Sequence, residues 1–351
     1  MCMARALLLA SILTISGFQT LAADAPDVRP EGGTVWSTQG GFAFQNKSNK
    51  KREAISGIAC PSVSTSPRRC IVAIDEGGAE RYVVIEGNRL VLEPDNIVLQ
   101  RDDEELDAEG AARDGDMVYI TGSFSSKRKE CESNPGSRHV FRFKVSHTTS
   151  RAELDDKGVP LGLENDKGAL WDLMKKDPVL KKFAGECLGK PKHGANIEGL
   201  AVKGGILYFG FREPAEDNHT YVLSVPADQL FAGTVTSATP IRVEVGGESG
   251  IRDMLAVKDG FLLLIGPDDD VATDKWSVAL WDGSSEKPKS LAKLDLKDVS
   301  PMPCKQPDDG KKAEIKPEAL TLLAEDAKFW RVLVLSDGMC DGGAMSFRVP
   351  K

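Results

Sequence analysis

Carboxylates recur in one short phrase along this sequence. Asp107-Ala108-Glu109-Gly110 precedes the apolar run Met117–Gly122, and Asn196-Ile197-Glu198-Gly199 precedes Ile206–Gly210. Gly250-Ile251-Arg252-Asp253 precedes Phe261–Gly266, and Pro317-Glu318-Ala319 precedes Trp330–Asp337. A weaker copy, Ser56-Gly57-Ile58-Ala59, precedes Cys70–Asp75. Aligning the copies puts Glu109, Glu198, Asp253 and Glu318 at one position, with Ser56 in the remaining one. Carboxylates brought together repel one another and hold their protons to higher pH unless a cation, an arginine or water compensates. An oxygen-only set suits a hard ion such as Ca²⁺, and Asp107 and Asn196 add further oxygens. These six residues are therefore candidate ligands for a divalent cation, or for a cationic or polyhydroxy molecule. The plainer alternative is that they bond backbone amides and fix neighbouring elements.

A second set follows the apolar runs: Asp75, Ser123, Arg212, Asp268 and Asp337. Arg212 and Arg252 are the cations at these places in the phrases, and arginine beside acidic groups in a concavity holds carboxylate or phosphate bidentately. Arg212, Arg252, Asp75, Asp268 and Asp337 are thus candidate ligand-binding residues, with a structural ion pair as the competing reading. Asp268-Asp269-Asp270 reads as a solvated turn, and the basic clusters Lys47–Arg52 and Lys127–Lys129 as solvated loops. No nucleophile elbow, zincin helix or phosphate-cradling loop is present, and the four histidines lack metal-ligand spacing. No catalytic residue can be assigned on this basis.

The elements that must carry these side chains are β-hairpins. Each copy is a short strand, a polar or Gly turn and a more apolar strand. From Ser56 the phrase recurs after 53, 89, 55 and 65 residues. The long interval holds a helical insertion at about 151–193, in which Asp166–Lys176 puts Leu170, Leu173 and Met174 on one face. Without it the period is about 50–55 residues, the length of a four-stranded propeller blade. The sequence predicts an all-β fold, a five-bladed β-propeller, with six blades as the alternative. The last copy is short, so Thr34–Ser37 and Gly41–Phe44 are expected to complete its sheet and close the ring.

The amino terminus reads as an address. Arg5, the apolar run Ala6–Gly17 and Leu21-Ala22-Ala23 have the form of a signal peptide spanning residues 1–23, leaving a single domain at 24–351. Export to the periplasm or beyond follows. Six cysteines then remain, an even number that reads as disulfides: Cys60–Cys70 across a hairpin, and Cys131–Cys187 and Cys304–Cys340 by proximity in the repeat. A formal charge of −8 over 351 residues argues against nucleic-acid binding, and no later stretch is apolar enough to span a bilayer. A monomer with a small-molecule or ion ligand is expected.

Asn196–Ala201, Gly250–Asp253 and Pro317-Glu318, with Thr121-Gly122-Ser123 and Ser126–Lys129, resemble a bacterial family catalogued as domain of unknown function 3616. The resemblance covers roughly residues 50–349. Phe124 departs from it, standing where a histidine is expected between two serines. More distantly, the recurring Glu-Gly phrase resembles exported esterase-like phytase-type propellers. Two functions remain open: an exported binding module using the acidic mouth, and a Ca-dependent hydrolase of phosphate or carboxylate esters. Propellers host both, so fold cannot choose between them.

Overall fold

A computed structural model describes residues 25–44, 47–101, 104–128, 131–268, 275–305 and 314–351. The expected signal peptide therefore lies outside the described residues, as do Lys129, Asp269 and Asp270.

Every repeated phrase is the innermost strand of its own antiparallel sheet. These strands are Ile55–Ala59, Ala108–Asp114, Asn196–Lys203, Ser249–Val257 and Lys316–Glu325, which begin blades I to V. Each pairs with the apolar strand that follows, and blades I to IV continue outward in sequence order to a fourth strand. The five innermost strands pack side by side in the order I, II, III, IV, V and back to I. The fold is a five-bladed β-propeller. Strand alternation sends apolar side chains to both faces of every sheet, so the core is divided into five apolar clusters among the described residues. One lies between each pair of neighbouring blades: for example, Ile71 and Ile120 share the cluster of blades I and II.

All five innermost strands carry a β-bulge near their start, and the extra residues are Ser56, Glu109, Glu198, Arg252 and Glu318. A bulge re-aims one side chain out of the alternating pattern. The bulges correct the sequence alignment by one residue in blade IV, where Arg252 rather than Asp253 matches the glutamates.

The residue after the bulge faces the next blade. A Cβ on Gly57 would stand 2.8 Å from the Ala111 nitrogen of blade II, and one on Gly110 would stand 2.7 Å from Cβ of Leu200 in blade III. Asp253 occupies this position in blade IV, and its Oδ2 accepts the Leu320 N–H of blade V at 2.6 Å.

The insertion between blades II and III contains helix Ala169–Lys176. Asp166 accepts the N–H groups of Gly168 and Leu170 at 3.3 and 3.0 Å, satisfying donors of the first turn. Leu170, Leu173 and Met174 are buried in the cluster of blades II and III.

Ring closure differs from the expected single sheet. Among the described residues blade V has three strands, Lys316–Glu325, Phe329–Asp337 and Met345–Pro350. The amino-terminal strands instead add in parallel to its neighbours: Asp27–Val28 to the outer strand of blade IV, and Ser37–Gly40 to that of blade I. Between them the chain crosses blade V, where Glu31 accepts from Arg331 and Ser346, and the Trp36 N–H bonds the Ala344 carbonyl at 2.8 Å. Exposed strand edges invite foreign pairing, and this strap covers the outer side of the short blade. Disulfides join Cys60 to Cys70, Cys131 to Cys187 and Cys304 to Cys340, the pairs expected from proximity.

Candidate functional site

The bulges bring side chains from all five blades to one end of the axis. There they meet residues from the loops after the second strands, around a cavity of about 560 Å³. Asp75, Asp107, Glu109, Asn196, Glu198, Arg212, Glu318 and Asp337, all predicted from sequence, line this cavity.

Part of the charge is neutralised internally. Arg252 is 2% exposed and lies between two carboxylates, with Nε 2.8 Å from Glu198 Oε2 and Nη2 on Glu318 Oε1. Its Nη1 donates to the Pro267 carbonyl at 3.1 Å. Arg212 donates from Nη1 to Glu198 Oε1 at 2.9 Å and from Nε to the Asp268 carbonyl at 3.0 Å. Burial alone would raise the Glu198 pKa, but Arg252 and Arg212 hold it below the usual carboxylate range. Glu318 also accepts from the Ser56 hydroxyl at 3.3 Å, yet burial pushes it up to about 7 against the pull of Arg252. Both arginines are thus held in the hub wall by the carboxylates they pair with.

A second group remains acidic. Glu109 has no hydrogen-bond or ion-pair partner among the described residues. Burial, then Glu198 and Asp107, raise its pKa well above the ordinary value. Asp75 is likewise raised by burial and by Asp337 and Asp107, and its Oδ1 is buried without a partner. Asn196, 3% exposed, gives its Nδ2 to Glu198 at 3.1 Å, while its Oδ1 has no partner. Asp107 accepts from the hydroxyls of Ser123 and Ser125. Between those serines Phe124 is fully buried at φ 58°, an unfavourable conformation for a bulky residue that holds both hydroxyls toward one carboxylate. Asp337 lies 3.6 Å from Lys316 Nζ.

Three predicted residues do not line this cavity: Arg252, which stands behind Glu198 and Glu318, and Asp253 and Asp268. Asp253 is 1% exposed and accepts backbone N–H groups of Met254 and Leu320, so it fastens blades rather than facing the hub. Asp268 borders a smaller cavity of about 120 Å³ beside Arg212 and Glu213. Among the described residues, no three of the hub carboxylates bring oxygens within 4.8 Å of one another; the group that does is Cys304, Cys340 and Asp341, whose cysteines are joined as a disulfide.

Several lining residues escaped the sequence reading. Glu76, Glu105, Lys50, Lys127, Arg128 and Lys316 all reach the mouth. Lys50 pairs with Glu76 at the rim of the site, and Arg52 pairs with Asp341 at 2.6 Å away from it, so these two basic residues are not purely solvated. A signal existed for Lys316 alone, two positions before the phrase glutamate.

No curated protein matches the chain. Among solved structures it is similar to the major Malassezia sympodialis allergen Mala s 1, at 9% identity over 86% of this chain and 93% of that one, with a TM-score of 0.43. It is also similar to a calcium-binding protein, regucalcin, from Agrobacterium tumefaciens, at 8% identity over 89% and 95%, with a TM-score of 0.35. The family model described as "Protein of unknown function (DUF3616)" matches residues 86–151 and 140–342, and the chain belongs to that family.

Proposed function

We propose that this is an exported binding protein whose axial mouth takes a small, donor-rich cationic molecule, of the diamine or amino-sugar kind. The observation that carries the reading is a set of acceptors without partners among the described residues: Asp75 Oδ1 and Asn196 Oδ1, both buried, beside the Glu109 carboxylate. Acceptors held out of water gain most from a ligand that brings N–H or O–H donors and positive charge. A cavity of about 560 Å³ has the size of a small-molecule site. Carboxylate oxygens spread this widely favour an extended ligand over a bare Ca²⁺ ion, which gathers six to eight oxygens at close range. Export is supported by the signal-like amino terminus and the three disulfides. Among the described residues no helix is long and apolar enough to cross a membrane.

The test is calorimetry on chelator-treated protein with putrescine, glucosamine, glucose and Ca²⁺. Saturable binding of the amines, weakened at least tenfold by Glu109→Gln, is the expected result. Absence of amine binding overturns the reading. The hydrolase alternative has one specific observation in its favour, the Glu318 carboxyl at about 7, which is suited to acid–base work. Ca²⁺-dependent turnover of aryl phosphates or esters, abolished by Glu198→Gln, would establish that alternative.

A further inference from the structure

The opposite end of the axis has the contrary chemistry. Two residues beyond each bulge stand Ile58, Ala111, Leu200, Met254 and Leu320, one from every innermost strand and all buried. They line a second cavity, of about 400 Å³, whose lining contains no Asp or Glu among the described residues. Arg68, at the start of the second strand of blade I, also lines it. That arginine is 8% exposed, its Nε is buried without a partner, and its guanidinium has no hydrogen bond or ion pair among the described residues. The neighbouring Arg113 is already engaged, donating to the Gly115 carbonyl and the Ser150 hydroxyl, each at 2.8 Å.

A guanidinium keeps its charge at neutral pH, and an uncompensated charge in an apolar wall is costly. Burial draws the pKa of Arg68 down to about 10, and no carboxylate acts against that shift. Among the described residues no counter-charge is present, so a ligand that supplies one is favoured there, and the walls around it favour a hydrocarbon.

We propose that this second mouth binds a monocarboxylate with an apolar chain, the carboxylate accepting from Arg68 and the chain lying against the ring of Ile58, Ala111, Leu200, Met254 and Leu320. The site is independent of the acidic mouth, on the far side of that apolar ring.

Titration calorimetry of the full chain with octanoate, octanol and acetate separates the contributions. Octanoate binds, octanol binds at least tenfold more weakly for want of the charge, and acetate does not bind measurably. Arg68→Met reduces octanoate affinity at least tenfold while leaving Tm equal or higher, because it removes an unpaired buried charge. Equal affinity for octanoate and octanol in the wild type, or no octanoate binding at all, overturns the proposal. So does wild-type octanoate affinity in Arg68→Met. The wild-type comparison needs no variant, so it decides the matter even if Arg68→Met fails to fold.

Discussion

At the scale of single residues, the hub divides its acids into two kinds. Glu198 keeps its charge because Arg252 and Arg212 share it; Glu109 and Asp75 retain protons that free carboxyls would have lost. A carboxyl whose folded pKa is raised binds more protons than the unfolded chain once pH exceeds about 4. Its stabilising contribution is complete below that value and is lost as pH rises toward the folded pKa, which for Glu318 is about 7. Glu109→Gln removes one such group without changing shape. Its Tm should match wild type near pH 4 and exceed it by about 1–3 °C at pH 8. Calorimetric scans across that range check this, and a difference independent of pH would refute the electrostatic account.

At the scale of elements, the bulge and the small residue after it position the hub together. The bulge turns a side chain to the axis, and the next residue lets the neighbouring strand approach. Gly57→Ala should therefore cost about 1–3 kcal/mol, because its Cβ would press on the backbone nitrogen of Ala111. Denaturant titration measures it; an unchanged midpoint would mean that the blades can separate without penalty. The same device explains what could be read from sequence. Five hairpins were legible because strand, turn and apolar strand leave a local pattern. The register of blade IV was not, since Asp253 stands where other blades have Gly or Ala and draws an alignment by charge one residue away from Arg252. Nor was the strap: two short parallel pairings at sheet edges, Asp27–Val28 and Ser37–Gly40, depend on strands hundreds or tens of residues distant. The acidic position and the arginines beside it could be read from the phrases, whereas which carboxylates Arg252 and Arg212 pair with needed three dimensions.

At the scale of the whole molecule, the ring has opposed ends, one lined by carboxylates and cations and the other largely apolar with Arg68 and the engaged Arg113 at its edge, with a buried ring of five apolar residues between. The ring is secured at its short blade by the strap, whose Trp36 is 7% exposed and packs in the cluster of blades V and I. Trp36→Ala should cost about 3–5 kcal/mol. It should also speed hydrogen exchange first in Phe329–Asp337 and Met345–Pro350, the strands of blade V that the strap overlies. Uniform exchange across all blades would mean that the strap plays no special part. The strap also sets an order of events during synthesis. Asp27–Val28 and Ser37–Gly40 leave the ribosome early, yet Lys289–Leu294 and Ala344, which receive the strap, are made hundreds of residues later. Ser37–Gly40 can pair early with Arg89–Leu92, but Asp27–Val28 must wait for Lys289–Leu294, so the circle stays unlatched until its last blades have formed.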